Sequence, residues 1–130
     1  MQWIAIALGG ALGAMARFAM TNFSATYVES SLLMNSRFPL GTLLVNVLGS
    51  ALIGVCYVLI IEKGALAPEW RHVLMVGFLG AFTTFSTFSL DALNMWQNGH
   101  QILALSYVSI TFVASLVAVA VSVSMTLRLF

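Results

Sequence analysis

Four long apolar runs, joined by short polar connections, constrain this chain more than any other feature of its sequence. An α-helix needs roughly 20 apolar residues to cross the hydrocarbon core of a bilayer, and each run is at least that long. The runs are too continuous for the alternating strands of a membrane β-barrel. We therefore predict an all-α membrane protein with one domain, 1–130, and four transmembrane helices at about 3–23, 38–61, 70–97 and 101–127.

The scarcity of charge argues against most soluble functions. Of the 130 residues 61% are hydrophobic and only 7% are charged, whereas a soluble domain has about 25% charged residues. A nucleic-acid-binding protein would need a basic patch against the phosphates, and the net charge here is only +1. The sequence also contains no nucleophile–base pair and no set of metal-ligating side chains. We therefore expect no enzyme and no nucleic-acid partner, but a multi-pass protein surrounded by membrane lipid.

The basic residues are distributed almost evenly between the two sides of the predicted membrane. Lys63, Arg71 and Arg128 fall on one side, and Arg17 and Arg37 fall on the other. An excess of Lys and Arg normally marks the cytoplasmic side, so three against two leaves the orientation nearly undetermined. A single weakly determined orientation and a dual topology, with copies inserted in both directions, both stay open on charge alone.

The second span contains polar side chains at the depth of the bilayer core, where burying them costs free energy. Asn46 lies near its middle, and Thr42 precedes it by four residues, which puts both on the same helix face. A polar group in the bilayer core needs a partner, a water-filled cavity or a function. The Asn46 amide suits either a clamp between helices or a donor to an anion. Considered by itself, an isolated asparagine favours the clamp.

The third span carries an unusual concentration of hydroxyl groups. Gly77 and Gly80 lead into a segment, Thr83–Ser89, with five hydroxyl groups in seven residues. Ser and Thr can bond the carbonyls of their own helix, so a flexible but continuous helix would account for them. A discontinuous helix would account for them too, and its freed carbonyl oxygens would suit a hard cation such as Na⁺.

Aromatic and polar residues on the third and fourth spans allow two interpretations. Phe85 and Phe88 share a helix face and either pack against neighbours or turn their positive ring edges towards an anion. Asp91 is either an interfacial residue or the end of the same polar track. In the fourth span, Tyr107, Thr111 and Ser115 recur every four residues and form one polar face, for which helix packing is the default explanation.

Three motifs, in order and at the right spacing, resemble the CrcB/Fluc family of fluoride channels over essentially the full chain. The first is Gly9-Gly10 with Gly13 and Arg17, and the second is Gly41-Thr42-Leu43-Leu44-Val45-Asn46 with Gly49. The third is the long and chemically unusual segment from Gly77 to Ser89. A double glycine that is often present in the family is Gly80-Ala81 here, a change between small residues.

The resemblance implies a dual-topology antiparallel homodimer in the cell inner membrane, with a break in the third helix of each subunit. Two passive fluoride pores would run along the subunit interface. By this similarity Asn46 donates to the anion, and Phe85 and Phe88 are the paired pore phenylalanines. Thr42 and Tyr107 are expected at the same pore.

The resemblance also implies a structural Na⁺ ion at the dimer centre, held by the backbone carbonyls of Gly80 and Thr83. Arg17 would lie in a vestibule and raise the local anion concentration. The further members expected along the polar track are Thr83, Thr84, Asp91, Thr111 and Ser115.

Two other functions fit the sequence less well than a fluoride channel does. A small multidrug-efflux transporter also has four spans, but it needs a membrane-embedded carboxylate in span one, where this chain has only Arg17 as a charge. A non-transporting subunit of a larger membrane complex would explain the Gly and Ser/Thr faces. It would not explain the donors beside Phe85 and Phe88.

Overall fold

The computed structural model describes residues 1–29 and 38–130. Arg37, which entered the charge comparison, and most of the connection after the first span lie outside the described residues. The described chain is helical throughout, apart from its connections, and contains five helical elements. These are α1 (Gln2–Phe23, continued by Ser24–Glu29), α2 (Leu40–Tyr57, continued by Val58–Glu62), α3 (Arg71–Leu79, continued by Gly80–Phe82), α4 (Phe85–Gln97) and α5 (Gln101–Leu129).

Four helical segments are long and apolar enough to cross a membrane: Gln2–Tyr27, Leu40–Glu62, Arg71–Gln97 and Gln101–Leu129. The prediction of an all-α, four-span membrane protein is confirmed. Most large apolar side chains are exposed on the surface, as a chain needs when its solvent is lipid.

The first helix is longer than the sequence suggested. We expected the connection to begin at Ser24, but the helix continues to Glu29, with i→i+5 hydrogen bonding in its last six residues. The polar composition after Phe23 suggested an end, yet no Gly or Pro stands between Ser24 and Arg37 to terminate a helix. Polarity alone does not stop a helix.

The third span consists of α3 and α4 joined by two extended residues. Thr83 has φ −78° and ψ 159°, and Thr84 has φ −152° and ψ 116°. The Thr84 side chain then starts α4, because its hydroxyl accepts the Thr87 N–H at 3.2 Å. A threonine hydroxyl in this position satisfies a backbone donor that a helix start otherwise leaves unpaired.

Glycines let α1 approach the backbone of α3 directly. A methyl group on Gly9 would overlap the carbonyl oxygen of Val73, and one on Gly13 would overlap that of Phe78. In the opposite direction, a Cβ on Gly77 would lie 2.9 Å from the Ile6 carbonyl oxygen. Such close approach provides the van der Waals contact that replaces the hydrophobic effect between helices in lipid. It holds α3 tightly against α1.

Replacing Gly13 by alanine is expected to lower the free energy of unfolding by about 1–3 kcal/mol, the usual cost of overpacking. The added methyl group meets the backbone of α3, which cannot move aside as a flexible side chain can. Gly10→Ala is the matched control, because its Cβ would have its nearest neighbour, the Gly77 carbonyl oxygen, at 3.9 Å. Thermal unfolding in detergent measures both variants. Equal melting temperatures would contradict the close α1–α3 contact.

Candidate functional site

A cavity of about 320 Å³ lies between α2, the junction of α3 with α4, and α5. It brings together Asn46, Phe85 and Phe88, which are three of the five residues expected at the pore. Its lining is apolar with a few neutral polar groups, and none of its lining residues in the described chain is charged. The polar lining residues are Asn46, Ser50, Thr83, Thr84, Thr111 and Ser115.

Asn46 clamps α2 to the extended residues between α3 and α4. Its Oδ1 accepts the Thr84 N–H at 2.8 Å, and its Nδ2 donates to the Thr84 carbonyl oxygen at 3.0 Å. The clamp, one of the two interpretations of Asn46, is therefore present. An amide nitrogen has two hydrogens, so the bond to Thr84 uses one and leaves the other for a second acceptor.

Two hydroxyl groups on α5 line the cavity without a hydrogen-bond partner. Thr111 Oγ1 and Ser115 Oγ are both buried and unpaired within the part of the chain that the structure describes. Elsewhere on α5, Ser106 and Thr126 donate to the carbonyl four residues earlier, at 2.8 and 2.7 Å. Leaving a buried hydroxyl unpaired costs about 1–3 kcal/mol. The two cavity hydroxyls are therefore available to something that enters the cavity.

The two phenylalanines lie side by side at the edge of this cavity. Their ring centroids are 5.6 Å apart and the rings are inclined by 45°. Phe85 is 79% exposed, whereas Phe88 is half-buried and packs its ring 5.2 Å from that of Tyr107. One ring is therefore held by α5 and the other projects from the chain.

Thr42 and Tyr107 lie outside the cavity lining, in a network centred on Asp91. Thr42 Oγ1 donates to Asp91 Oδ2 at 2.8 Å, and Tyr107 Oη donates to the same oxygen at 3.3 Å. Tyr107 is fully buried and lies behind Phe88, with Phe38 edge-on to its other side at 5.4 Å. The carboxylate thus connects the start of α2 to α4 and α5.

Arg17 lines a second cavity of about 370 Å³ on the opposite side of the same junction. Thr42, Thr84 and Thr87 contribute hydroxyl groups to it, together with Thr21 of α1. Thr84 lines both cavities. The extended residue that Asn46 clamps therefore separates a cavity with a cationic side chain from one with neutral donors.

The carbonyls of Gly80 and Thr83 fit the hard cation that the resemblance implies. In a continuous helix they would accept the N–H groups of Thr84 and Thr87, four residues on. Here the Thr84 N–H donates to Asn46 Oδ1, and the Thr87 N–H donates to Thr84 Oγ1. Both carbonyls thus lose their usual helical donors, and carbonyl oxygens are suitable ligands for such an ion.

Two residues contribute more to the site than the sequence indicated. Thr84 was expected only as a further member of a polar track, but it is the partner of Asn46 and a wall of both cavities. Phe112 lines the first cavity and was not singled out, because it lies within a uniformly apolar run. The signal for Thr84 was available, since a buried amide requires a partner with both a donor and an acceptor.

Comparison with known proteins agrees with this arrangement of motifs. The family model described as CrcB-like protein, Camphor Resistance (CrcB), matches residues 4–123. A protein of Saccharophagus degradans named fluoride-specific ion channel FluC is 54% identical over 127 residues, which cover 98% of this chain and 90% of that protein.

Two more distant relatives bear the same name. The protein from Hahella chejuensis is 41% identical over 93% of this chain and 91% of its own length. The protein from Cereibacter sphaeroides is 47% identical over 85% of this chain and 82% of its own length. Because the family model and these relatives cover nearly all of the chain, the four-span protein described here belongs to the CrcB-like family.

Proposed function

We propose that the chain is a fluoride-selective channel that lets fluoride leave the cytoplasm passively, down its electrochemical gradient, across the cell inner membrane. The observation that carries this proposal is the uncharged cavity beside Phe85 and Phe88, where Thr111 and Ser115 present hydroxyl groups that have no partner in the part of the chain that the structure describes. Relatives that cover nearly the whole chain are named fluoride-specific ion channels, and this favours the channel over a multidrug transporter or an assembly subunit.

The donors in this cavity suit conduction of a small, strongly hydrated anion. Conduction requires binding that is strong enough to replace water and weak enough to release the ion. Hydroxyls, one amide N–H of Asn46 and the positive edges of phenylalanine rings are weak donors that together meet this condition. A lysine or arginine in the same cavity would hold the anion too tightly. Arg17 acts instead in the second cavity, where it concentrates anions at the entrance.

A second copy of the chain, inserted in the opposite direction, completes the pore. The open side of the cavity carries Phe85, whose ring is 79% exposed in the single chain, and Phe112 beside it is 62% exposed. The near-equal distribution of basic residues suits insertion in both directions. In such a dimer each subunit would contribute residues to each of two pores.

The third span is interrupted at Thr83 and Thr84, where the carbonyls of Gly80 and Thr83 would hold a Na⁺ ion at the dimer centre. Such an ion would supply a fixed positive charge there. This chain contributes the freed carbonyls and the hydrogen bonds that keep their usual donors occupied elsewhere.

Proteoliposomes that contain the purified protein are expected to release fluoride when an electrical shunt is provided, and to retain chloride. The reason is that weak donors without a fixed charge select for the anion that forms the strongest hydrogen bonds. A fluoride electrode and a chloride electrode measure the two fluxes in the same preparation. Protein-free liposomes are the control. Absent fluoride release, or chloride release at the same rate, would refute the proposal.

A further inference from the structure

We infer that Asn46 is a positioning residue that holds Thr84 extended and thereby imposes the interruption between α3 and α4. This role is separate from donation to an anion, and only its consequence for flux rests on the proposed function. The shape of the third span then depends on a contact from α2 rather than on the third span's own sequence.

Asn46 satisfies both backbone groups of Thr84. Asn46 engages both the N–H and the carbonyl of Thr84, at 2.8 and 3.0 Å, as a neighbouring strand would. Thr84 is buried, with 7% of its surface exposed. Without Asn46, both backbone groups would lose these partners in an apolar interior, where an unpaired group is costly. The amide therefore stabilises the extended conformation at the expense of a helical one.

The local sequence of the third span does not by itself require an interruption. The segment Gly80-Ala81-Phe82-Thr83-Thr84 contains no proline, so no residue lacks the N–H that a continuous helix needs. Thr83 still completes helical bonds, since its N–H and its hydroxyl both reach the Leu79 carbonyl, at 3.1 and 2.9 Å. The backbone becomes extended at Thr83, and the first N–H without a helical acceptor is that of Thr84, which donates to Asn46 instead.

The face of α2 that carries Asn46 also leaves room for Thr83, the residue before Thr84. Gly49 lies one turn after Asn46, and a Cβ there would overlap Thr83 Cγ2 and approach Phe82 Cδ1 to 3.3 Å. Asn46 therefore clamps Thr84, while Gly49 leaves room for Thr83. Because Phe85 follows Thr84 directly, the two contacts also determine where α4 starts and where its first phenylalanine projects.

The Asn46→Asp variant distinguishes the two roles of Asn46, which are to hold Thr84 and to donate a hydrogen bond to an anion. A protonated aspartic acid has one acceptor oxygen and one O–H, so it can form the same pair of bonds with Thr84, but it has no second hydrogen to offer. An ionised aspartate has no donor and would repel the Thr84 carbonyl. Asn46→Leu has a similar volume and can form neither bond.

The experiment follows the backbone conformation of Thr84 through its Cα and carbonyl carbon chemical shifts, which differ between extended and helical residues, in the purified protein at about pH 5 and about pH 9. We expect Asn46→Asp to keep the extended shifts of the wild type at the lower pH. At the higher pH its carboxylate still accepts the Thr84 N–H but repels the Thr84 carbonyl, so the shifts should move part of the way towards helical values. Asn46→Leu should move them towards helical values at both pH values. The titratable groups around the site, Arg17 on α1, Asp91 on α4 and Tyr107 on α5, are present in every variant, so the wild type corrects for them.

Phe88→Ile is the matched control, because it removes a ring from the cavity and leaves the Asn46–Thr84 pair intact. It should keep the extended shifts of the wild type. Extended, wild-type shifts at Thr84 in Asn46→Leu at both pH values would overturn the positioning role. A wild-type protein that conducts no fluoride would refute the proposed function instead, while the chemical shifts of Thr84 would still test the clamp.

Discussion

Phe88→Ile is expected to lower fluoride flux in proteoliposomes by roughly tenfold or more, while the protein still assembles. Isoleucine keeps the apolar volume but has no ring edge to face an anion, and a factor of ten corresponds to about 1.4 kcal/mol at the barrier. Quadrupole contacts between two aromatic rings are of that order, about 0.5–1.5 kcal/mol, and a full anionic charge at the ring edge interacts with the same quadrupole. The ring of Phe88 is also held 5.2 Å from that of Tyr107, so its orientation is defined before the anion arrives.

Phe85→Ile should have a similar effect on flux, although Phe85 is far more exposed in the single chain. Phe23→Ile is the matched control, since Phe23 is 58% exposed on α1, packs its ring 5.0 Å from that of Tyr27 and lines neither cavity. Size-exclusion chromatography reports assembly for all three variants. Unchanged flux in both Phe85→Ile and Phe88→Ile would remove the ring-edge argument, and the unpaired hydroxyls would then have to provide selectivity alone.

Gly49→Ala is expected to have the other large effect, because its methyl group would overlap Thr83 Cγ2. Thr83 cannot easily turn away, since its hydroxyl is bonded to the Leu79 carbonyl at 2.9 Å. The backbone at Thr83 must therefore shift, and its carbonyl with it. We expect the free energy of unfolding to fall by about 1–3 kcal/mol and the proposed stabilisation by Na⁺ to disappear.

Thermal unfolding in sodium chloride and in N-methylglucamine chloride measures this effect. A ligand present at 100 times its dissociation constant stabilises the folded state by about 2.7 kcal/mol, so the wild type should melt at a higher temperature in sodium. Gly10→Ala, which meets only an ordinary contact, should retain that difference. A sodium-dependent shift of wild-type size in Gly49→Ala would contradict the link between Gly49 and the carbonyl of Thr83.

The four spans could be predicted because each depends on the hydrophobicity of consecutive residues, which can be summed along the chain. Each helix satisfies its own backbone hydrogen bonds, so a sufficient length of apolar residues is enough to specify it in lipid. The exception is the end of the first helix. Polar residues after Phe23 suggested a connection there, but the helix continues to Glu29, since no residue in that stretch forbids helical backbone.

The candidate site could be predicted only as a set of residue types. Asn46, Phe85 and Phe88 were identified from the sequence, and the structure brings them to one cavity. Thr42 and Tyr107 were expected with them, but they bond to Asp91 in a network behind Phe88. A four-residue spacing places side chains on one helix face, but it does not specify the neighbouring helix that this face meets.

The sequence by itself determined that this chain is a four-span membrane protein with a concentration of neutral donors along its third and fourth spans. Only the tertiary structure decided which donors are already occupied and which are available. The Asn46 amide holds Thr84, and the Asp91 carboxylate accepts from the hydroxyls of Thr42 and Tyr107, whereas Thr111 and Ser115 have no partner among the described residues. The physical reason is that a span's length and polarity are local properties, while the satisfaction of a polar group depends on residues that are distant in the chain.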